Sequence, residues 1–225
     1  DMLYAVTIHA PSVKGILKSI HDEDAKKVVG VKSVLKTKHF YPGGDTEAVA
    51  VVADNYWAAL KASKLLKLKW ESEPDATLNS DNYFKDMHSA ALKPGVRAEE
   101  EGDFDSYFKF FDNKLEAVYE TPFLAHAAIE PVNATAHVKS DGTVEVWAPI
   151  QGPDGALTET SNLLGIPKEK VKINPTLLGG SFGRKAFMDF MKEAIDISKQ
   201  MQAPVKLIWT REEDMTQGPF RPGML

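Results

Sequence analysis

Leu178-Gly179-Gly180-Ser181-Phe182-Gly183-Arg184-Lys185 joins a strand-like sequence to a helix-like one. Residues 171–178 form the β-branched run before it, and a helical pattern follows over residues 185–201. Glycines at such a turn let the backbone take positive φ and approach a ligand closely, because no Cβ intervenes. The helix directs unpaired N–H groups and its positive dipole end at the turn, which favours an anion. The pattern therefore predicts an anion-binding glycine loop (residues 179–184), and a tight β–α turn without a ligand is the alternative.

Two common nucleotide-binding patterns do not match this loop. A P-loop requires Lys followed by Ser or Thr directly after its last glycine, but here Arg184 intervenes and Ala186 follows Lys185. The dinucleotide pattern also fails, because Gly179 and Gly180 are adjacent. The loop is therefore an anion-binding turn of another kind.

Composition narrows the class of protein. The 225 residues carry a net charge of −5 without a basic stripe, which argues against a nucleic-acid partner. No apolar run approaches the roughly 20 residues that a membrane-spanning helix needs. The chain has no cysteine, which excludes disulfides, cysteine-bound iron–sulfur clusters and a thiol nucleophile within it.

The first half of the chain reads β-α-β-β-α, followed by a polar and acidic stretch. Glu47 to Ala53 is a near-continuous apolar run, which predicts a strand buried on both faces. Asn55 is the predicted cap of a helix over residues 56–68, whose apolar positions include Trp57 and Leu60. The other predicted elements are strands over residues 3–8 and 31–37 and a helix over residues 22–28.

The second half alternates strands and helices. A hairpin is predicted over residues 134–147, a helix over residues 153–164, and a strand over residues 205–210. This alternation predicts parallel strands, whose carboxyl ends meet at one edge of the sheet. The loop at residues 148–152 and the glycine loop then lie together, and this edge is the predicted site.

The polar groups predicted at this edge are Gln151, Ser181, Arg184, Lys185 and backbone amides. These groups donate hydrogen bonds and bind anions, but none is a general base. The six histidines show no metal-ligand spacing, so no metal site is predicted; they stand at positions 9, 21, 39, 88, 126 and 137.

Three further charged groups are interpreted as structural. His126 and Glu130 are expected to form a structural pair or loop anchor. Asp189 and Glu193, four residues apart, are expected on the solvent face of the last helix. Arg211 to Asp214 is expected to form a charged loop with a structural ion pair.

Five motifs together resemble the large, molybdenum-binding subunit of the molybdenum hydroxylases, closest to the isoquinoline 1-oxidoreductase β-subunit branch. They are, in order, TPFLAHAAIEP (121–131), WAPIQ (147–151), LLGIP (163–167), GGSFGRK (179–185) and WTREEDM (209–215). The resemblance implies a mixed α+β and α/β fold in three parts. Residues 1–75 correspond to an α/β hammerhead domain, 76–115 to a linker, and 116–225 to a βαβαβ first part of the molybdopterin-binding domain.

The resemblance also implies roles for the predicted site. Gln151 corresponds to the glutamine that hydrogen-bonds the apical oxo ligand of molybdenum, and Phe182 lies near the metal. The resemblance implies that the glycine loop binds the cofactor. Its residues are Gly179, Gly180, Ser181, Phe182, Gly183 and Arg184. The implied cofactor is molybdenum–molybdopterin cytosine dinucleotide. The family hydroxylates a carbon of an N-heterocycle or aldehyde with oxygen from water and passes electrons to iron–sulfur clusters on a small partner subunit.

Two departures from the family pattern change these expectations. Ala186 stands where xanthine dehydrogenases carry a purine-binding glutamate, so a purine substrate is not expected. The family's catalytic glutamate lies in a C-terminal motif that this sequence lacks, so we expect a fragment that is inactive alone. The alternatives are an anion- or nucleotide-binding module without catalysis and a degenerate scaffold homologue. The family leaves the compartment open between bacterial cytoplasm and periplasm.

Overall fold

The computed structural model describes residues 1–12, 15–41, 43–71 and 79–225. The chain divides into two compact units, one of Asp1–Pro74 with Ala125–Pro219 and one of Asp75–Leu124 with Phe220–Leu225. The strands are β1 (Leu3–His9), β2 (Ile16–His21), β3 (Val31–His39), β4 (Thr46–Ala53), β5 (Lys67–Glu71), β6 (Leu124–Ala125), β7 (Asn133–Val138), β8 (Val144–Ala148), β9 (Val171–Pro175), β10 (Val205–Ile208) and β11 (Phe220–Arg221). The helices are α1 (Glu23–Lys26), α2 (Tyr56–Ser63), α3 (Ser80–Ala91), α4 (Phe104–Phe110), α5 (Pro153–Leu164), α6 (Asp189–Met201) and α7 (Arg211–Thr216).

A seven-stranded mixed sheet organises the first unit, in the order β3-β4-β1-β10-β7-β8-β9. Two neighbouring pairs, β1 with β10 and β8 with β9, are parallel, and the other pairs are antiparallel. The predicted mixed fold class is confirmed. The β7–β8 hairpin is antiparallel and β8 and β9 are parallel, as predicted. Parallel pairing within the second half does not extend to β10, because that strand lies between β1 and β7 and runs antiparallel to β7.

The core lies between this sheet and α6. Residues 48–53 of β4 are wholly buried, as the apolar run predicts, and α6 buries Phe190, Met191, Ala194 and Ile195. Burial of such side chains is the main favourable term for this unit.

Helix α2 differs from the prediction in the face that it buries. Its buried residues are Ala58, Ala59 and Ala62, whereas Trp57 is 71% exposed. Small side chains let the helix backbone lie close to the sheet, and the prediction that Trp57 belongs to the buried stripe is wrong. The helix also ends at Ser63 rather than at residue 68, because β5 begins at Lys67.

The segment after the glycine loop also differs from the prediction. Strand β9 ends at Pro175, and residues 184–186 form a single 3₁₀ turn. Phe187 is extended, with φ −87° and ψ 141°, so α6 begins at Asp189 rather than at Lys185. The glycine loop therefore does not sit at a helix N-terminus, and the predicted dipole argument for anion binding is wrong.

The seven-stranded sheet contains strands from both predicted domains. Strands β1, β3 and β4 precede the predicted linker, and β7 to β10 follow it. The predicted boundary at residues 75–76 lies outside the described residues, and the division into three parts stays a prediction.

The second unit holds α3 and α4, which lie within the predicted linker and bury no residue. The rings of Tyr83 and Phe84 both contact the Phe123 ring in a tilted arrangement, and Thr121 forms a bridge with Met224. No helix in the described parts of the chain has the length and apolar character to cross a membrane.

Candidate functional site

The two loops of the predicted site lie side by side. Because β8 and β9 are parallel neighbours, both loops leave the sheet at the same edge. The Gln151 backbone N–H donates to the Lys185 carbonyl at 3.0 Å, and the Ser181 hydroxyl donates to Gln151 Oε1. The predicted meeting of residues 148–152 with the glycine loop is confirmed.

These contacts fix which way the Gln151 amide faces. Ser181 Oγ accepts the Lys185 backbone N–H at 3.0 Å, so its own proton is free to donate. It donates this proton to the carbonyl oxygen of the Gln151 amide. The NH₂ group of Gln151, on an exposed residue, is left as a donor for a ligand.

The glycine loop backbone is left-handed at three positions. The φ angles are +87° at Gly180, +52° at Phe182 and +93° at Gly183. A non-glycine residue in this region costs about 1–3 kcal/mol and persists where surrounding contacts impose it, most often at functional sites. The Phe182 side chain is 58% exposed, so the strain places an aromatic ring at the surface of the site.

Glu130 holds the start of the glycine loop. Its carboxylate accepts the Gly179 N–H at 2.9 Å, the Asn133 amide at 3.1 Å and the Lys185 ammonium. Its backbone N–H donates to the Gly179 carbonyl at 2.9 Å. Burial disfavours the charged carboxylate, but the hydrogen bonds from Lys185, Gly179 and Asn133 outweigh it and lower the pKa of Glu130.

The two cations that follow Gly183 are buried and paired. Lys185 is wholly buried against Glu130. Arg184 donates to both carboxylate oxygens of Asp189, at 2.8 and 2.7 Å, and both side chains are 1% exposed. Neither charge is presented to solvent, so anion binding by these side chains, and a role for Arg184 in holding a cofactor, stay predictions.

Asp189 and Glu193 are not on a solvent face, which corrects the prediction. Glu193 is wholly buried and accepts hydrogen bonds from His9 at 2.8 Å, Thr7 at 3.0 Å and Trp209 at 2.9 Å. Each of these buried donors needs a hydrogen-bond acceptor, and the Glu193 carboxylate is the acceptor for all three.

His9 lies between two carboxylates. Its Nε2 faces Glu193, and its Nδ1 lies 2.5 Å from Glu213 at the start of α7. Burial disfavours the imidazolium, but the charges of Glu193 and Glu213 and their hydrogen bonds raise the pKa of His9 from 6.5 to about 9. His9 is therefore an imidazolium ion at neutral pH.

His9, His39 and Glu193 bring one donor atom each within 4.8 Å of one another, a grouping that histidine spacing did not reveal. The His9 Nε2 to Glu193 Oε1 distance of 2.8 Å is a hydrogen bond. It is shorter than the separation of about 3.3 Å that two ligands at about 2.0 Å have around a tetrahedral Zn²⁺. A metal would also have to displace the proton of His9, so we interpret the group as an ion-pair network.

Two other predicted groups take structural partners. His126 Nδ1 lies 3.0 Å from the Pro219 carbonyl. The ion pair predicted for residues 211–214 is confirmed and joins Arg211 to Asp214 at 2.6 Å, but it lies in helix α7 rather than in a loop. Arg211 also donates to the Ala128 carbonyl at 2.6 Å.

Gly179 has to be glycine because Glu130 is so close. A Cβ at Gly179 would lie 2.6 Å from Glu130 Cβ, whereas a Cβ at Gly155 in α5 would meet nothing within 4 Å. We expect Gly179→Ala to lower the free energy of unfolding by about 1–3 kcal/mol through overpacking. The matched control, Gly155→Ala, should raise it by about 0.5–1 kcal/mol because alanine favours the helix. Urea unfolding of both variants measures the two changes, and equal effects would contradict the close contact.

Three comparisons place this geometry among known proteins. Residues 87–225 match the molybdopterin cofactor-binding domain family. The chain is 28% identical over 232 residues to isoquinoline 1-oxidoreductase subunit beta of Brevundimonas diminuta, covering 99% of this chain and 29% of that protein. It is 32% identical over 227 residues to the membrane-bound aldehyde dehydrogenase [pyrroloquinoline-quinone] of Gluconacetobacter polyoxogenes, covering 98% and 29%.

The crystal structure of quinoline 2-oxidoreductase from Pseudomonas putida 86 has the same fold, with a TM-score of 0.71 at 18% identity. The match covers 98% of this chain and 32% of that one. The chain thus spans about a third of the length of the proteins that it matches.

Proposed function

Because this chain belongs to the molybdopterin cofactor-binding domain family, we propose that the edge formed by Gln151 and the glycine loop is one wall of a molybdenum–pterin site. The observation that carries the proposal is the Gln151 amide, whose oxygen is occupied by Ser181 while its NH₂ group stays available. In this reading Gln151 donates to an oxygen ligand of the metal, and Phe182 packs beside it.

The residues of the loop fit such a group. Gly179 and Gly180 let the loop backbone pack against the segment at Ile129 and Glu130, since a Cβ would lie 2.6 Å from Glu130 Cβ and 3.5 Å from the Ile129 nitrogen. Gly183 has the left-handed backbone that follows the exposed Phe182. When bound, the molybdenum–pterin group supplies the redox chemistry. The chain's own residues donate hydrogen bonds, approach the group with backbone and shield one side of it from water.

We extend the proposal to the whole protein. It hydroxylates a carbon of an N-heterocycle or aldehyde with oxygen from water, and the electrons pass to iron–sulfur clusters on a small partner subunit. The cofactor is proposed to be the cytosine dinucleotide form. No residue of the site described here is a free general base, so we expect the chain to be inactive by itself.

The alternative of an anion- or nucleotide-binding module has less support. Arg184 and Lys185, the cations on which it depends, are paired with Asp189 and Glu130. A pyrroloquinoline quinone in place of the pterin is the other alternative, because one relative carries that name. Cofactor analysis separates these possibilities.

The first experiment measures which cofactor the purified full-length protein contains. We expect about one molybdenum atom per chain by mass spectrometry of the metal, together with a fluorescent pterin after oxidation. Extraction of a quinone without molybdenum would contradict the proposal, and so would tight nucleotide binding without either cofactor.

A second experiment tests Gln151 directly. In the full-length protein we expect Gln151→Leu to lower turnover at least about tenfold, because a hydrogen-bond donor at the reacting centre is lost, while molybdenum content is retained. Gln200→Leu is the matched control, since Gln200 lies at the C-terminal end of α6, where its amide donates to the Lys36 carbonyl and to Asp196. Equal turnover in both variants would contradict the proposed role of Gln151 in the site.

A further inference from the structure

One carboxylate oxygen binds both ends of the glycine loop. Glu130 Oε2 accepts the backbone N–H of Gly179, the first residue of the loop, and the ammonium of Lys185, which directly follows its last residue. The other oxygen, Oε1, is bound by Asn133 at the start of β7. The sheet therefore anchors the carboxylate, and the carboxylate closes the loop.

The link continues from Lys185 to Gln151. The Lys185 backbone donates to Ser181 Oγ and accepts from the Gln151 backbone N–H, both at 3.0 Å. Ser181 in turn donates to the Gln151 side chain. Any movement of Lys185 therefore shifts both the main chain and the amide of Gln151.

Burial makes this arrangement hard to replace. The Lys185 side chain is 0% exposed, so its ammonium depends on Glu130 for a counter-charge, while Glu130 is 33% exposed. A charge-assisted hydrogen bond in such surroundings is stronger than a neutral one at the surface. The backbone pair of Glu130 N–H with the Gly179 carbonyl adds a second tie at the same point.

We propose that Glu130 is the positioning residue of the glycine loop: it holds Gly179 and Lys185 on one carboxylate and, through Lys185, sets the place of Gln151. The part of this inference that concerns the cofactor rests on the proposed function. The part that concerns the loop conformation does not. Glu130 touches no reacting group in this scheme; it acts through the loop.

The experiment is hydrogen exchange of the full-length protein, read by mass spectrometry over residues 179–185. In Glu130→Gln, which keeps the shape but removes the charge, we expect these amides to exchange at least about tenfold faster. The amides of β7 and β10 should keep their wild-type rates. Lys185→Met is the second variant and should show the same local increase; the double variant should add nothing, because both changes break one link.

Glu145→Gln is the matched control, because Glu145 also pairs with a lysine, Lys172, at 2.7 Å on the outer part of the same sheet. It should leave the loop amides unchanged. Unchanged loop exchange in Glu130→Gln overturns the proposal, and so does faster exchange throughout β7 and β10, which indicates a general structural role.

Molybdenum and pterin content separate this inference from the proposed function. If the wild type holds the cofactor, Glu130→Gln should retain less of it than Glu145→Gln and should lower kcat more than it changes KM. If the wild type holds no molybdenum or pterin, the proposed function fails, and the exchange rates alone decide whether Glu130 positions the loop.

Discussion

Replacing Glu193 with alanine is expected to lower the free energy of unfolding by about 3–5 kcal/mol, the cost of removing one partner of a buried charged pair. The carboxylate is wholly buried and is the acceptor for His9, Thr7 and Trp209. Its removal leaves these three buried donors without that acceptor. The same change leaves a cavity beside the ring of Trp209.

Urea unfolding measures this loss, with Glu159→Ala as the matched control. Glu159 pairs with Lys192 at the surface, with its side chain 46% exposed, so its loss should cost no more than about 1 kcal/mol. Glu193→Gln keeps the side-chain volume but removes the charge, so its loss of unfolding free energy should lie between those of the other two variants. If Glu193→Ala is no more destabilising than the control, the network does not stabilise the fold.

The stability of the protein should fall as the pH rises from 6.5 through about 9, because His9 is the buried cation of this network. A group whose pKa is raised by folding contributes stability that is fully present below its unfolded pKa and is lost as pH passes the folded pKa. The difference between 6.5 and about 9 corresponds to about 3 kcal/mol. The groups that face His9 are Glu193 on α6, Glu213 on α7 and His39 on β3.

The measurement compares the wild type with His9→Gln from pH 5.5 to pH 10. The free energy of unfolding of the wild type should exceed that of the variant most at the acid end of this range. This difference should shrink as the pH rises from 6.5 to 9. Other titrating groups act on both proteins, so the difference between them isolates His9. A difference that stays constant with pH would show that His9 is not the titrating group.

Elements with local signals were predictable from the sequence. The turn at residues 139–142 specified the β7–β8 hairpin, and Pro153 at the first turn with Gly165 at the end bounded α5 as predicted. The apolar run of β4 identified a central strand. The meeting of the two loops followed from the order of the strands, which is why Gln151 and Ser181 were found together.

The buried charges could not be predicted in the same way. Asp189 and Glu193 are acidic residues four apart on a helix, and that spacing is typical of a solvent face. The partner of Glu193 is His9, which lies 184 residues away in the chain. The partner of Asp189 is Arg184, which lies in the 3₁₀ turn just before α6, where the sequence predicted continuous helix. Glu130 was singled out only as a companion of His126, because nothing local indicated its bond to Lys185.

The place of β10 in the sheet has a consequence for the order in which the protein is made. This strand lies between β1 and β7. One edge of β1 pairs with β4, and its other edge can pair only after residues 205–208 have been synthesised. About two hundred residues must leave the ribosome before that gap closes, and pairings so distant in sequence form slowly. Until then β1 and β7 each have an unpaired edge, and such edges promote aggregation of a chain during its synthesis.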